Sequence, residues 1–371
     1  MIYGGPTRSV YELCRQLAQL GCDVRVLTTD ANGPHDVLAV ATDREIELEE
    51  RLVVRYCHRW MDVSVSPTLL RLLARYIRWA DVVHLTAVYS FPTIPTLLAC
   101  RLLNKPVVWS PRGMLQRWKG TTRPAMKTVW ERVCRTVAPE RLTLHFTSES
   151  EAEQSRARFP NARSVVIPNG LAIPGHVAHA ASSDSLRLVY LGRLHPIKGL
   201  ENLLQACCML NGNLGKTALL TIAGTGDDAY TQGLKSQIEK LGLSERVRMI
   251  GSVTDQDKRM LFENSDVAVV PSFTENFGMV VAEALAHAVP VIASKGTPWQ
   301  RLEETGAGLW VDNSPKSLAR AIEQMSRMPL REMGENGREW MKKEFTSKTT
   351  TKQMRAAYES LIARYSERAN Q

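Results

Sequence analysis

The residues of this chain best placed to do chemistry are two carboxylates, two cations and a glycine at a strand-to-helix turn. The first group lies in Thr274-Glu275-Asn276-Phe277-Gly278-Met279-Val280-Val281-Ala282-Glu283-Ala284-Leu285-Ala286, directly after an apolar run ending near Pro271. Gly278 falls where a helix should begin. Without a side chain it lets the backbone approach a ligand, and the unpaired N–H groups of the first turn, at the positive end of the helix dipole, form an anion site. Glu275 sits in the loop, where its carboxylate can accept hydrogen bonds from hydroxyl groups, and Glu283 sits one turn into the helix. The second group is Gly192-Arg193-Leu194-His195-Pro196-Ile197-Lys198-Gly199, after the run ending at Leu191. Arg193 and Lys198 place two cations beside a tight turn, which suits neutralisation of a diphosphate leaving group. His195 has no assigned catalytic part.

The elements that must hold these groups read as short β-branched runs alternating with helical stretches. In the first half the strands are expected at Asp23–Thr28, Leu52–Tyr56, Val82–Leu85, Pro106–Ser110, Leu144–Thr147 and Ser164–Ile167. Helices are expected near Thr7–Leu20, Pro67–Trp79, Thr93–Leu103, Pro124–Val137 and Glu149–Arg158. The second half repeats the rhythm, with strands at Leu186–Leu191, Leu219–Ala223, Val247–Ile250, Val267–Pro271, Val289–Ala293 and Gly308–Val311. Such alternation predicts α/β domains with parallel sheets covered on both faces, ligands lying at the carboxyl ends of the strands. The expected division is an N-terminal domain over 1–170, a linker over 171–185, a second domain over 186–345 and a tail over 346–371 whose helical spacing finishes the second domain or crosses back to the first. Gly4-Gly5-Pro6-Thr7 reads as a glycine-rich turn entering a helix with Thr7 as its cap. Only Met1-Ile2-Tyr3 precede it, too few for an ordinary strand, so the opening strand is expected to be missing and the N-terminal domain weakened.

Together these motifs resemble the family-4 (group 1) retaining glycosyltransferases of the GT-B fold. Glu275 and Glu283 match that family's E-x7-E motif, and Gly192-Arg193 with Lys198-Gly199 match its G-R…K-G motif. The similarity extends over nearly the whole chain and takes in Gly4-Gly5, Asp81-Val82-Val83-His84 and Ile167-Pro168-Asn169-Gly170. It implies two Rossmann-like domains facing a cleft and transfer of a hexose from a nucleotide diphosphate sugar to a saccharide acceptor. By the same resemblance Arg193 and Lys198 bind the diphosphate and Glu283 the ribose. Glu275 with the backbone of Phe277, Gly278 and Met279 holds the sugar and phosphate. Gly4 and Gly5 close over the phosphates, Gly224 and Gly251 flank the base, and His84 lies near the reacting sugar. Arg112, in Ser110-Pro111-Arg112-Gly113, follows a strand end and is a candidate for the cleft or the acceptor. No metal and no cofactor is implied. Asp227-Asp228 and Asp255-x-Asp257 read as surface or helix-start acids.

The composition narrows the partners. With 371 residues, 44% hydrophobic and 23% charged, the chain is globular and large enough for two cores. The seven cysteines form no C-x-x-C pair and read as buried thiols. A net charge of +9 favours anionic partners, but no nucleic-acid-binding module accompanies it. Between Arg112 and Arg135 bases alternate with Met114, Leu115, Trp118, Met126, Val129 and Trp130, a pattern suited either to an anionic bilayer surface or to an ordinary solvated helix. The expected place of work is the cytoplasm, at the inner face of the membrane, in cell-surface polysaccharide or lipopolysaccharide synthesis. The rival expectations are a nucleotide-sugar epimerase of the same fold and an inactive nucleotide-sugar-binding protein.

Overall fold

The computed structural model describes residues 4–33, 36–60, 65–117, 121–181, 183–210 and 217–369. The chain divides into two compact units, Met1–Gly170 with Ser347–Gln371, and Leu171–Thr346. The chain therefore leaves unit 1 once and returns to it for its last helix.

Unit 1 contains, in order, α1 (Gly4–Gln19), β1 (Val24–Thr29), β2 (Glu45–Glu49), β3 (Leu52–Cys57), α2 (Pro67–Trp79), β4 (Val83–Thr86), α3 (Thr93–Leu102), β5 (Val107–Ser110), α4 (Pro124–Val137), β6 (Leu142–Phe146), α5 (Glu149–Arg156) and β7 (Arg163–Val166). Its strands form two sheets, β1-β3-β2 and β4-β5-β6-β7. All pairings are parallel except β2 with β3, an acidic hairpin strand that the sequence pattern did not reveal. β5 is buried at every position, as an apolar run covered on both faces must be. β1 and β4 each end their sheet, and neither has a partner on its second edge among the described residues. Two cores nevertheless draw on both sheets. One gathers Leu27, Cys57, Leu85, Trp109 and Leu144 beneath α2 and α3, and the other packs Leu17, Val24 and Val108 against Met354, Tyr358 and Leu361.

Two local readings change. α1 begins at Gly4, so Gly4 and Gly5 stand in its first turn, not in a loop before it, and Thr7 lies inside the helix instead of capping it. Met1–Tyr3, too few for the opening strand expected to be missing, lie outside the described residues. Elsewhere sequence and structure agree on how helices start. Ser66 caps α2 by accepting from Leu69 N at 3.3 Å with Pro67 following, and Ser148 accepts from Glu151 N at 3.1 Å to start α5.

Unit 2 contains β8 (Ser185–Leu191), α6 (Leu200–Met209), β9 (Thr217–Ala223), α7 (Asp228–Lys240), β10 (Val247–Gly251), α8 (Asp255–Glu263), β11 (Val267–Val270), α9 (Met279–Ala286), β12 (Val291–Ser294), β13 (Gly308–Val311), α10 (Pro315–Met325) and α11 (Leu330–Glu344). One parallel sheet runs β10-β9-β8-β11-β12-β13. The strand order reverses between β8 and β11, and a crevice outside the carboxyl ends of those two strands is where open α/β sheets take ligands. The segment read as a linker is packed on this unit. Leu171 N donates to Phe345 O at 3.0 Å, Ala180 N donates to Glu263 O at 3.0 Å, and the buried Arg338 donates to the carbonyls of Pro174 and Gly175. The final helix, α12 (Ser347–Ala369), belongs to unit 1.

Backbone contacts close the loops above the β8 and β9 ends. Gly224, at φ +139°, lies against Gly192 so tightly that a Cβ would stand 1.8 Å from the Gly192 carbonyl oxygen. Gly224→Ala must therefore both strain its own backbone and push the neighbouring loop away. It should destabilise unit 2 by at least about 2 kcal/mol, read as a lowered urea midpoint; an unchanged midpoint would contradict this packing.

Candidate functional site

The two motif loops of unit 2 meet above the reversal point. After β8, Gly192 N donates to Ala223 O at 3.0 Å, Leu194 N donates to Thr225 O at 2.8 Å, and the buried Tyr190 hydroxyl donates to Arg193 O at 2.9 Å. These bonds fix the backbone and leave the Arg193 side chain exposed. His195 is a cap: its Nδ1 accepts from Ile197 N at 3.2 Å and starts the single helical turn Pro196–Lys198. Gly199 then takes φ +67° where a Cβ would strike Pro271 O at 2.2 Å, so this turn lies directly on the end of β11.

From the β11 side, Phe273 N donates to Ile197 O and Glu275 N to Gly296 O, both at 2.8 Å. The Glu275 carboxylate is shared: its Oε1 accepts from Lys198 Nζ and, at 2.8 Å, from Ser272 Oγ. Gly278, at φ +77°, is the N-cap of α9 and stands against Trp299, whose Nε1 donates to Phe277 O at 2.5 Å. Phe277, Trp299, Trp340 and Phe345 form a ring cluster behind the helix start. The first turn of α9, with Met279 at its head, is thus anchored from behind by aromatic packing. Burial, with the Glu275 charge adding to it, raises the Tyr190 phenol and keeps it a neutral donor.

Glu283, one turn into α9, bonds Lys258 of α8 through Oε1 at 2.6 Å. Lys258 also lies 3.7 Å from Asp255. A capping box of Thr254 with Asp257 sets the start of α8 just beyond Gly251, so this pair occupies the β10 side of the crevice. Gly224 N donates to Gly251 O at 2.7 Å, joining the ends of β9 and β10. Lys258, Ser272 and Trp299 were not singled out from sequence. Ser272 lies two residues past β11, but Lys258 and Trp299 lie further from a strand end and carry no such signal. Asp227 caps α7 by accepting from Tyr230 N at 3.2 Å, and Asp257 is tied into its own capping box, so both are helix-start acids.

His84 and Arg112 sit in unit 1, each hydrogen-bonded to residues of that unit. His84 Nδ1 meets the Tyr358 hydroxyl, His84 Nε2 lies 2.6 Å from Ser110 Oγ, Ser110 Oγ lies 2.6 Å from His145 Nδ1, and His145 Nε2 lies 2.8 Å from Ile167 O. A carbonyl only accepts, so His145 Nε2 carries a proton, and the directions follow back along the chain. Ser110 donates to His145 Nδ1, His84 Nε2 donates to Ser110, and Tyr358 donates to His84 Nδ1. Every donor and acceptor is used only when both rings are neutral. Both ring nitrogens of His84 are therefore spent on holding α12 to β5. Burial pulls both histidines down, His145 to about 3, with the Arg112 charge acting in the same direction.

Arg112, at φ +54°, donates through one terminal nitrogen to Asn169 and leaves Nε without a partner. It lines a small pocket of unit 1 with Glu12, Asn169, Ser347 and Thr350. The backbone of its loop is held by Glu151, which is fully buried. Glu151 Oε1 accepts from Gly113 N, and Oε2 accepts from Thr147 N at 2.8 Å and Thr147 Oγ1 at 2.7 Å.

Residues 176–340 match the family Glycosyl transferases group 1, and residues 3–173 match Glycosyltransferase Family 4. The chain belongs to this glycosyltransferase family, and its fold is GT-B. One relative is the GDP-mannose:cellobiosyl-diphosphopolyprenol alpha-mannosyltransferase of Xanthomonas oryzae pv. oryzae, 27% identical over 258 residues, covering 68% of this chain and 66% of the relative. The chain spans from about a third to about two thirds of the length of the curated relatives it matches. Among solved structures, the sucrose-phosphate synthase of Thermosynechococcus elongatus superposes with TM-score 0.76 at 21% identity, covering 97% of this chain and 94% of that one. HepE of Anabaena in complex with UDP-glucose superposes with TM-score 0.70 at 18% identity, covering 94% and 95%. Matches at that identity speak for the fold.

The histidine chain sets an acid limit for unit 1. Unfolded, each histidine takes a proton near pH 6.5, whereas the folded His145 holds out to about 3 and His84 is held down in the same direction. The unfolded state then binds more protons below pH 6.5, so stability falls as pH drops, by up to about 1.4 kcal/mol per pH unit for each ring. Urea unfolding between pH 7 and pH 5 should show this slope, and His145→Gln should reduce it. A flat profile would show that the rings are charged in the fold.

Proposed function

We propose that this chain is a retaining hexosyltransferase that binds a nucleotide diphosphate sugar on unit 2 and passes the sugar to a saccharide acceptor held by unit 1. The observation that carries the reading is the grouping of Arg193, Lys198, Glu275 and the α9 N-terminus outside the ends of β8 and β11, at the reversal of strand order. A diphosphate there meets an exposed guanidinium, an ammonium and a helix start, the set needed to stabilise its charge as it departs. Lys198 is bonded to Glu275 in the free protein. A phosphate that takes Lys198 releases Glu275 Oε1 to accept from sugar hydroxyls, while Ser272 keeps the carboxylate in place.

In this reading Glu283 holds the ribose, oriented by Lys258, and Gly224 and Gly251 leave room for the base. Phe277, Gly278 and Met279 present backbone to the sugar phosphate. His84 contributes through its hold on α12 and the Ser110 strand end, and Arg112 steadies the end of β7 through Asn169. Neither is asked to take a proton from the acceptor; the departing phosphate does that on the front face of the sugar. The names of the relatives fit a donor of this kind: one uses GDP-mannose with a lipid-linked acceptor, and HepE was solved with UDP-glucose.

Thermal stabilisation by UDP, GDP and ADP sugars should identify one donor base, because a ligand that binds only the folded state raises its stability. Lys198→Met and Glu275→Gln should each lower kcat/KM by about a hundredfold or more, and Lys258→Met should raise the donor KM more than it lowers kcat. NMR of the product should show the donor's anomeric configuration retained. Inversion, or turnover of the donor without acceptor into its epimer, would overturn the reading.

The same reading places the chain at an anionic membrane. On α4 Met126, Val129 and Val133 are exposed beside Arg132 and Arg135, with Arg123 at its N-cap, while the helix's single acid, Glu131, is 3% exposed and paired with Arg117 and Arg158. On the adjoining α3, Leu98, Leu102 and Arg101 are exposed as well. Trp118 and Lys119 lie outside the described residues. Among described residues this face offers apolar surface and positive charge, which is what an acidic bilayer binds. No helix among the described residues is long and apolar enough to cross a membrane. The protein should sediment with vesicles containing phosphatidylglycerol at low salt and be released by high salt, and Val129→Asp should weaken the low-salt binding. Equal binding to neutral vesicles would contradict this.

A further inference from the structure

Past the end of β3 the backbone runs on through His58, Arg59 and Trp60 without helix or turn. In extended chain, alternate side chains go to opposite sides. Exposure follows that rule: His58 is exposed, Arg59 is 7% exposed and Trp60 is 73% exposed. Arg59 turns inward and donates to Gly33 O at 3.0 Å. His58 and Trp60 are left on one solvent face.

That face is built. Asp30, at the end of β1, is 2% exposed, yet its carboxylate bonds Arg59 N at 2.9 Å and His58 Nδ1 at 2.9 Å. A carboxylate only accepts, so Nδ1 carries a proton, and in the neutral ring Nε2 is left as the acceptor. Trp60 is fixed at its backbone by donating to Val65 O at 2.7 Å. Tryptophan is usually mostly covered in a folded protein, because its indole offers so much apolar area. Here it stands open beside an oriented hydrogen-bond acceptor. Both lie beyond the carboxyl ends of β1 and β3, which run parallel, the side of such a sheet where ligands sit.

We propose that Trp60 and His58 form a saccharide subsite of unit 1, with the indole stacking on the C–H face of a pyranose ring and His58 Nε2 accepting from one of its hydroxyls. Asp30 acts through His58 by fixing its ring. A sugar suits this pair because it offers both surfaces at once, an apolar C–H face and a hydroxyl edge, at the spacing of one residue pair on an extended strand. The inference rests on the reading of unit 1 as the acceptor side, but it concerns residues that take no part in donor binding.

Saturation-transfer NMR with methyl α-glucoside, methyl α-mannoside and cellobiose tests it on the full chain. At least one sugar should take up saturation on the protons of a single ring face. Trp60→Ala should cut that signal by about fivefold or more, Trp60→Phe should keep much of it, and Asp30→Asn should weaken it. All three variants should keep the cooperative, pH-dependent urea unfolding of unit 1, which shows that the unit carrying them folds, and should bind UDP or GDP sugars as the parent does. Undiminished signal in Trp60→Ala, or no signal with any of the three sugars, overturns the subsite. Loss of vesicle sedimentation in Trp60→Ala with sugar signal intact also overturns it and assigns the indole to a lipid surface. Failure of every nucleotide sugar to bind, with the Trp60-dependent signal present, refutes the donor reading alone and leaves the subsite standing.

Discussion

The arrangement of unit 2 turns on one carboxylate oxygen. Glu275 Oε1 is shared by an ammonium that follows β8 and a hydroxyl that follows β11, so the two strand ends are tied through a single charged hydrogen-bonded group. In partly buried surroundings such a bond is strong, and removing one partner leaves an uncompensated charge behind. The rest of the crevice is arranged around that tie. Gly199 is pressed on Pro271, Phe273 bonds Ile197, and the aromatic cluster behind Phe277 holds α9 so that its N-terminus points at the same spot. Lys258 with Glu283 repeats the device on the β10 side.

Unit 1 uses buried polar groups for another purpose. Its neutral chain from Tyr358 to Ile167 and the Glu151 carboxylate, which accepts three hydrogen bonds, hold backbone and helix in place. The asymmetry matches a division in which one unit supplies fixed charge and the other supplies shape. Polar networks of this kind specify one packing because any other leaves a buried group unmatched.

Most of the architecture was legible because it rests on local pattern. The apolar runs at β5, β11 and β12, the helix start at Pro67 and the Gly278 turn all announce themselves within a few residues. β2 did not, because Glu45-Ile-Glu-Leu-Glu alternates like a solvated segment and becomes a strand only by pairing with β3. The motif residues of the site were legible by type, but their partners were not. Lys258 meets Glu283 across two helices, and His84 meets Tyr358 from an element at the far end of the chain. A sequence shows that His84 lies on an apolar strand; only the fold shows that both its nitrogens are occupied.

The return of α12 to unit 1 has a consequence for the order of events during synthesis. Unit 2 is continuous in sequence, and its first and last residues, Leu171 and Thr346, are bridged side by side. In unit 1 Gly170 likewise lies against Ser347, where a Cβ on Gly170 would stand 2.6 Å from the Ser347 Cα. Unit 2 is thus an insertion whose ends meet, able to complete its own core as soon as it has left the ribosome. Unit 1, although begun first, lacks Met354, Tyr358 and Leu361 until all of unit 2 has been made. The half begun first is therefore the last to close.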